Sequence, residues 1–175
     1  MLGFVKLPRK TLSRVAGSAF LTLALGLGAA TPALSIDARR PDSGLIPVRE
    51  VVQAPPGAQR LCSVYDWACA RSGKAMRIGE NAMLLIKEIN LRANRTIRPI
   101  SDMSQYRLAE RWALPTARGG DCEDYALHKK MELVKAGFPP EQLLVAAVLD
   151  RKRQSHAVRV GRTGTQDLVL DNLTN

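Results

Sequence analysis

Three residues carry the chemistry a nucleophilic hydrolase needs. Cys122 lies in "GGDCEDYALHKK", Gly119 to Lys130. His156 heads "HAVRV", and Asp171 ends "DLVLD". Asp121 is placed as the N-cap of a helix. Its carboxylate can accept the N–H of Asp124, whose own carboxylate can reach back. Cys122 then occupies the first helical position, where unpaired N–H groups and the helix dipole favour a thiolate. Gly119 and Gly120 permit a sharp turn that leaves the sulfur accessible. A backbone N–H beside the sulfur is also placed to receive an oxyanion.

The neighbouring acids oppose this. Asp121, Glu123 and Asp124 crowd the cysteine, and like charge raises a thiol pKa. The helix dipole contributes about 1 kcal/mol at most at exposed sites. Two things would restore the balance: an imidazolium beside the sulfur, or a cation bound to the acids.

His128 follows Cys122 by six residues on the same helix, about 240° round the axis, and reads as a surface histidine. His156, at the start of an apolar strand, would ordinarily be a core or edge histidine; the next strand raises its standing. A two-residue turn centred on Thr163-Gly164 sets His156 directly opposite Asp171, with Val158 and Val169 paired on the same face. A carboxylate beside an imidazole orients its tautomer and stabilises its charged form.

The elements that must position these residues follow from periodicity. Glu80 to Asn94 puts Ala82, Leu85, Ile86, Ile89 and Ala93 on one helical stripe, and "TIRPIS" ends it. "DMSQYRLAERWALPTARGG" is either a short helix or an irregular segment. The cysteine helix runs to about Ala136, with Gly137, Pro139 and Pro140 as the stop. "QLLVAAVLD", "HAVRV" and "DLVLD" read as strands. Helices first and strands last is the pattern of an α+β domain.

The chain has 175 residues, a net charge of +10 and 5% aromatic residues. Residues 1–35 read as a signal peptide: Lys6, Arg9, Lys10 and Arg14 precede an apolar run that ends in the cleavage-like "TPALS". The run is shorter than the roughly 20 residues of a spanning helix. Cleavage near Ser35 would leave the protein periplasmic or secreted. It would take Lys+Arg from 26 to 22 and leave Asp+Glu at 16, a net charge of +6. Reduced charge, export and the lack of an aromatic-rich basic strand argue against a nucleic-acid partner. Residues 36–60, rich in proline and glycine, are expected to be flexible, with the domain over 61–175. Of three cysteines, Cys62 and Cys69 close a short loop and suit a disulfide in an oxidising compartment. Cys122 is then the odd, free thiol. Neither C-x-x-C nor H-x-x-x-H spacing supports zinc.

"GGDCEDYALHKKMELVKAGFP", followed by "SHAVRV" and "LVLDN", resembles the bacterial transglutaminase-like cysteine proteinases. "INLRANRTIRPISDMSQYRLAERWALP" looks like the preceding segment of that family, and the Cys-x6-Cys loop is similar to that of exported members. The resemblance implies a papain-like or transglutaminase-like core with Cys122 as nucleophile, His156 as base and Asp171 as orienter. The LapG-type relatives are periplasmic, calcium-dependent proteases that clip large surface adhesins and release biofilm cells. By position, Asp121 and Glu123 would hold the calcium, and an inner-membrane receptor of the LapD type would be a regulatory partner. The alternative for these acids is a solvated capping box. Members of the family usually continue past the aspartate with another strand, whereas this chain stops at "DNLTN", as a truncated frame or a fragment would. Acyl transfer to an amine, amide hydrolysis or a non-catalytic binding module are the competing functions.

Overall fold

A computed structural model describes residues 44–47, 53–70 and 77–174. The signal sequence expected over 1–35 lies outside the described residues. Of the 36–60 segment, residues 44–47 and 53–60 are described, and both pieces are packed. Ile46 N–H donates to Asp167 Oδ2 at 2.8 Å, and Ala58, in the 3-10 turn Pro56–Ala58, is buried in the core.

Two short helices come next, α1 (Leu61–Val64) and α2 (Asp66–Cys69). A disulfide joins Cys62 to Cys69, with Cα atoms 5.4 Å apart. Helix α3 (Glu80–Thr96) buries Ile86, Ile89 and Ala93, the stripe its periodicity predicts. The ambiguous segment resolves into a short α4 (Asp102–Tyr106), N-capped by the Ser101 side chain, and then irregular chain. Helix α5 (Cys122–Lys135) is central. It buries Tyr125, Ala126, Leu127 and Leu133 together with Glu123, Asp124, Lys129 and Lys130.

Strands β1 (Leu143–Leu149), β2 (Ser155–Arg162) and β3 (Asp167–Leu170) form an antiparallel sheet in the order β1-β2-β3. The architecture is α+β, helices then antiparallel sheet, consistent with a transglutaminase-like fold. The core lies on both sides of α5. Leu61, Ala68, Trp112, Leu127 and Val145 pack at one level. Ile86, Ile89, Leu133, Phe138, Leu143 and Leu170 pack at another. The opposite face of the sheet carries Ala146, Val158 and Val160, partly covered by Ile46. Among the described residues no helix is long and apolar enough to cross a membrane.

The strand register differs from the expected one. Arg159 pairs with Leu170 and Val160 with Val169. The turn is therefore centred on Gly164-Thr165, one residue later than expected, and Thr163 N–H donates to Gln166 O at 2.9 Å. Gly164 takes φ +92° at the first central position, where a two-residue turn of this kind favours glycine. Thr163 Oγ1 also accepts Gln166 N–H at 3.0 Å. The slip moves the pairing by two residues. Val158 does not pair with Val169, and His156 is not directly opposite Asp171. Because side chains alternate with a period of two, an even slip keeps His156 and Asp171 on one face. They meet diagonally.

Candidate active site

The turn into α5 is built by main-chain pairing. Gly120 N–H donates to Arg98 O at 3.0 Å and Ile100 N–H to Gly120 O at 3.1 Å. Gly119 has φ +124°, and a Cβ there would fall 2.0 Å from Arg98 O. Glycine is thus required by both backbone conformation and space. Tyr125 Oη donates to Ile97 O and ties the first turn of α5 to the end of α3. Cys122 is consequently the first residue of α5, half-buried and free.

The expected capping box is not formed as read. Asp121 holds the N-cap position, but its side chain makes no cap hydrogen bond. Its Oδ2 instead accepts Asp102 N–H at 2.9 Å. Asp124 is fully buried and its Oδ1 accepts Ala113 N–H at 3.2 Å. The acids are engaged by the start of α4 and by the segment between α4 and α5, tertiary contacts that outcompete the local cap.

Three carboxylates converge. Asp102, Asp121 and Glu123 each offer an oxygen, and these atoms lie within 4.8 Å of one another. Asp102 and Glu123 are buried, and Asp102 Oδ1 and Asp121 Oδ1 have no hydrogen-bond partner. Burial, and then the Asp121 charge after partial relief by a backbone N–H, push Glu123 up to about 9. Burial likewise raises Asp102, and it pushes Asp124 up to about 7. Two orphaned buried oxygens and a compact all-oxygen donor set fit a hard divalent cation. Sequence reasoning reached Asp121 and Glu123 and missed Asp102. An aspartate after Ser101 reads as an ordinary helix-start acid, and nothing local marks it as a neighbour of Asp121, nineteen positions on.

The thiol faces Glu123. Cys122 Sγ donates to Glu123 Oε2 at 3.2 Å. Burial, the Glu123 charge and this hydrogen bond push the thiol up to about 12, while the Ala157 N–H pulls the other way. That N–H also locates the sulfur: it sits against β2 at the residue following His156.

His156 Nε2 lies 2.8 Å from Asp171 Oδ1. The His156 side chain is 7% exposed. Asp171 Oδ1 also accepts Leu173 N–H at 3.0 Å, and Oδ2 accepts Thr174 Oγ1 at 3.3 Å. Burial raises the Asp171 carboxyl, but the Leu173 N–H and the imidazole outweigh it, and the carboxyl stays below its usual range. The Asp171 carbonyl accepts Asn94 Nδ2 and Lys129 Nζ, each at 2.9 Å. His128 lies elsewhere on α5, half-buried among Glu132, Lys135 and Arg92; burial lowers its pKa.

The structure thus joins His156 to Asp171, sets the Cys122 sulfur against β2 at Ala157, the residue after His156, and turns the thiol toward Glu123 of the acid cluster. A nucleophile at a helix start, an imidazole one residue from its strand contact and a carboxylate on that imidazole are the parts of a cysteine hydrolase. No curated protein matches the chain. The family model of the bacterial transglutaminase-like cysteine proteinases matches residues 48–175, beginning ahead of residue 61, where the domain was expected to start. The chain therefore belongs to the bacterial transglutaminase-like cysteine proteinases, and it is a transglutaminase-like cysteine peptidase, a hydrolase.

Proposed function

We propose that this peptidase hydrolyses peptide bonds with Cys122 as nucleophile, His156 as base and Asp171 as orienter. The 2.8 Å bond between His156 Nε2 and Asp171 Oδ1 carries the reading, because a carboxylate beside an imidazole orients its tautomer and stabilises its charged form. His156 takes the Cys122 proton, and the thiolate attacks the carbonyl carbon. As the C–N bond breaks, His156 returns the proton to the leaving amine. Water then gives a proton to His156, and its oxygen attacks the thioester carbon. The C–S bond breaks, His156 returns its proton to the sulfur, the acid product leaves and the thiol is restored. N–H groups of the first turn of α5 would receive the oxyanion, since a helix start leaves them without helical partners.

Calcium belongs to this reading. Asp102, Asp121 and Glu123 would hold it, and a bound cation supplies local positive charge that reverses the penalty of the acids on the thiol. Glu123 then has less claim on the Cys122 proton, and His156 becomes the better acceptor. We place the enzyme in the periplasm or outside the cell after loss of residues 1–35. Its substrate is a protein, a large surface adhesin whose cleavage releases biofilm cells, and an inner-membrane receptor of the LapD type regulates it. The support for localisation is the N-terminal pattern; for substrate and receptor it is resemblance to the LapG-type relatives.

One observation favours a second reading, a non-catalytic binding module. The thiol, pushed up to about 12, donates to Glu123 and would be inert at neutral pH. Alkylation of Cys122 by iodoacetamide near pH 7 separates the two. The triad predicts labelling faster than that of free cysteine in calcium, and slowing in His156→Ala. Equal rates in the two proteins would sink it.

A further inference from the structure

We propose that the layer between α5 and β2 encloses a small monovalent anion of the halide class, held by the guanidinium of Arg159 with Lys129 and Lys130 beside it. The Arg159 side chain is wholly inaccessible, at 0% exposure. Its Nε, Nη1 and Nη2 have no hydrogen-bond acceptor among the described residues. The guanidinium lies over Gly161, two residues further along its own strand, since a Cβ there would fall 2.9 Å from Nη1.

The two lysines differ from it in a telling way. Both are buried, at 1% and 4% exposure, but each has an acceptor. Lys129 Nζ donates to Asp171 O at 2.9 Å and Lys130 Nζ to Ala68 O at 2.6 Å. Each also feels an acid, Asp171 for Lys129 and Glu141 for Lys130. No acid among the described residues acts on Arg159. Burial alone lowers it, to about 9, so it stays charged at neutral pH. Both lysines in turn feel the charge of Arg159 as repulsion.

A buried cation without a partner is strongly destabilising, and proteins neutralise such groups by pairing. The usual solution, a carboxylate, is lacking among the described residues. Because the guanidinium is enclosed, a docking protein cannot supply one. An enclosed halide can: it accepts N–H donors from several directions and needs no orientation of its own. It would offset the charge of Arg159 and ease the repulsion that Lys129 feels while it holds the Asp171 carbonyl.

The test is thermal unfolding of the whole protein at fixed ionic strength, with sodium gluconate progressively replaced by chloride or bromide. An ion that binds only the folded state raises the melting temperature with its concentration. The expected shift is about 3 °C or more between 1 and 100 mM halide, on the size scaling for a domain of this length. Arg159→Met should melt at one temperature in both salts. Crystals grown in bromide should show an anomalous peak beside the guanidinium, a readout that survives if the variant fails to fold. Identical melting in chloride and gluconate, an undiminished response in Arg159→Met, or no bromide peak would each overturn the proposal.

Discussion

His156 and Asp171 meet diagonally across β2 and β3, with Nε2 2.8 Å from Oδ1. Asp171 lies one residue beyond the last residue of β3 and is held at both ends of the residue. Its carboxylate takes Leu173 N–H and Thr174 Oγ1, and its carbonyl takes Asn94 from α3 and Lys129 from α5. Asp171 is thus fixed by two helices as well as by its own strand. Asp171→Asn preserves the shape and removes the charge that selects the tautomer. It should lower kcat/KM on a protein substrate by on the order of 10³-fold. Melting should change little. Steady-state kinetics alongside a thermal scan checks both, and unchanged kcat/KM would dismiss the orienting role.

The acids beside Cys122 give a pH dependence whose sign metal should reverse. Glu123 and Asp124 are raised, to about 9 and about 7. A carboxyl raised above its unfolded value near 4 lets the folded state keep protons that the unfolded state has lost. The stability tied to those protons is complete below about pH 4 and fades as pH rises through 7 and 9. In a chelator, melting should therefore fall between pH 5 and pH 8. Added calcium should raise the melting temperature most at pH 8, where the carboxylates are free to ionise on it. Asp102→Asn with Glu123→Gln should flatten the pH slope and remove the calcium response. A calcium response that survives in that double variant would place the ion elsewhere.

The disulfide ties α1 to α2, whose Leu61 and Ala68 lie in the core beneath Trp112 and Leu127. A loop this short removes unfolded-state entropy worth about 2–3 kcal/mol. Cys62→Ser with Cys69→Ser should lower denaturant stability by that order, and peptide mapping without reductant should recover a Cys62–Cys69 cross-link. A map that pairs Cys122 with either one would remove the nucleophile.

Asp167 fastens the described N-terminal piece to the sheet. Its side chain is 1% exposed. Arg162 donates to it from Nε and from Nη2, each at 3.0 Å, and Ile46 N–H donates at 2.8 Å. Burial raises the Asp167 carboxyl, but Arg162 and the Ile46 amide outweigh that, and the carboxyl is held below its usual range. Its stabilisation is therefore complete above about pH 4 and lost as pH falls through the lower folded value. Asp167→Asn should cost about 1–2 kcal/mol at pH 7, allowing for the partial exposure of Arg162. The cost should shrink at pH 2, where wild type has lost the same charge. Urea unfolding at the two pH values measures it, and an equal cost at both would contradict the charge argument.

Local signals determined the elements. The stripe on α3, the start of α5 at Cys122 and the three apolar strands could be read because helix and strand periods repeat within a few residues. The short Cys62–Cys69 loop and the candidate residues Cys122, His156 and Asp171 could be read for the same reason. What only the tertiary structure decided depends on residues far apart in the chain. Choice of turn residue set the β2–β3 register, and His156 kept its face toward Asp171 because the slip was even. Asp102 joined Asp121 and Glu123 because the segment before α5 folds back across its start, and that contact also took Asp121 from its cap. Lys129 and Lys130 look like ordinary helix surface, and Arg159 like the polar member of a strand. They are buried because α5 lies between two core layers and has no solvent face at that level. Burial is set by what packs against an element, and that information is distributed over the whole fold.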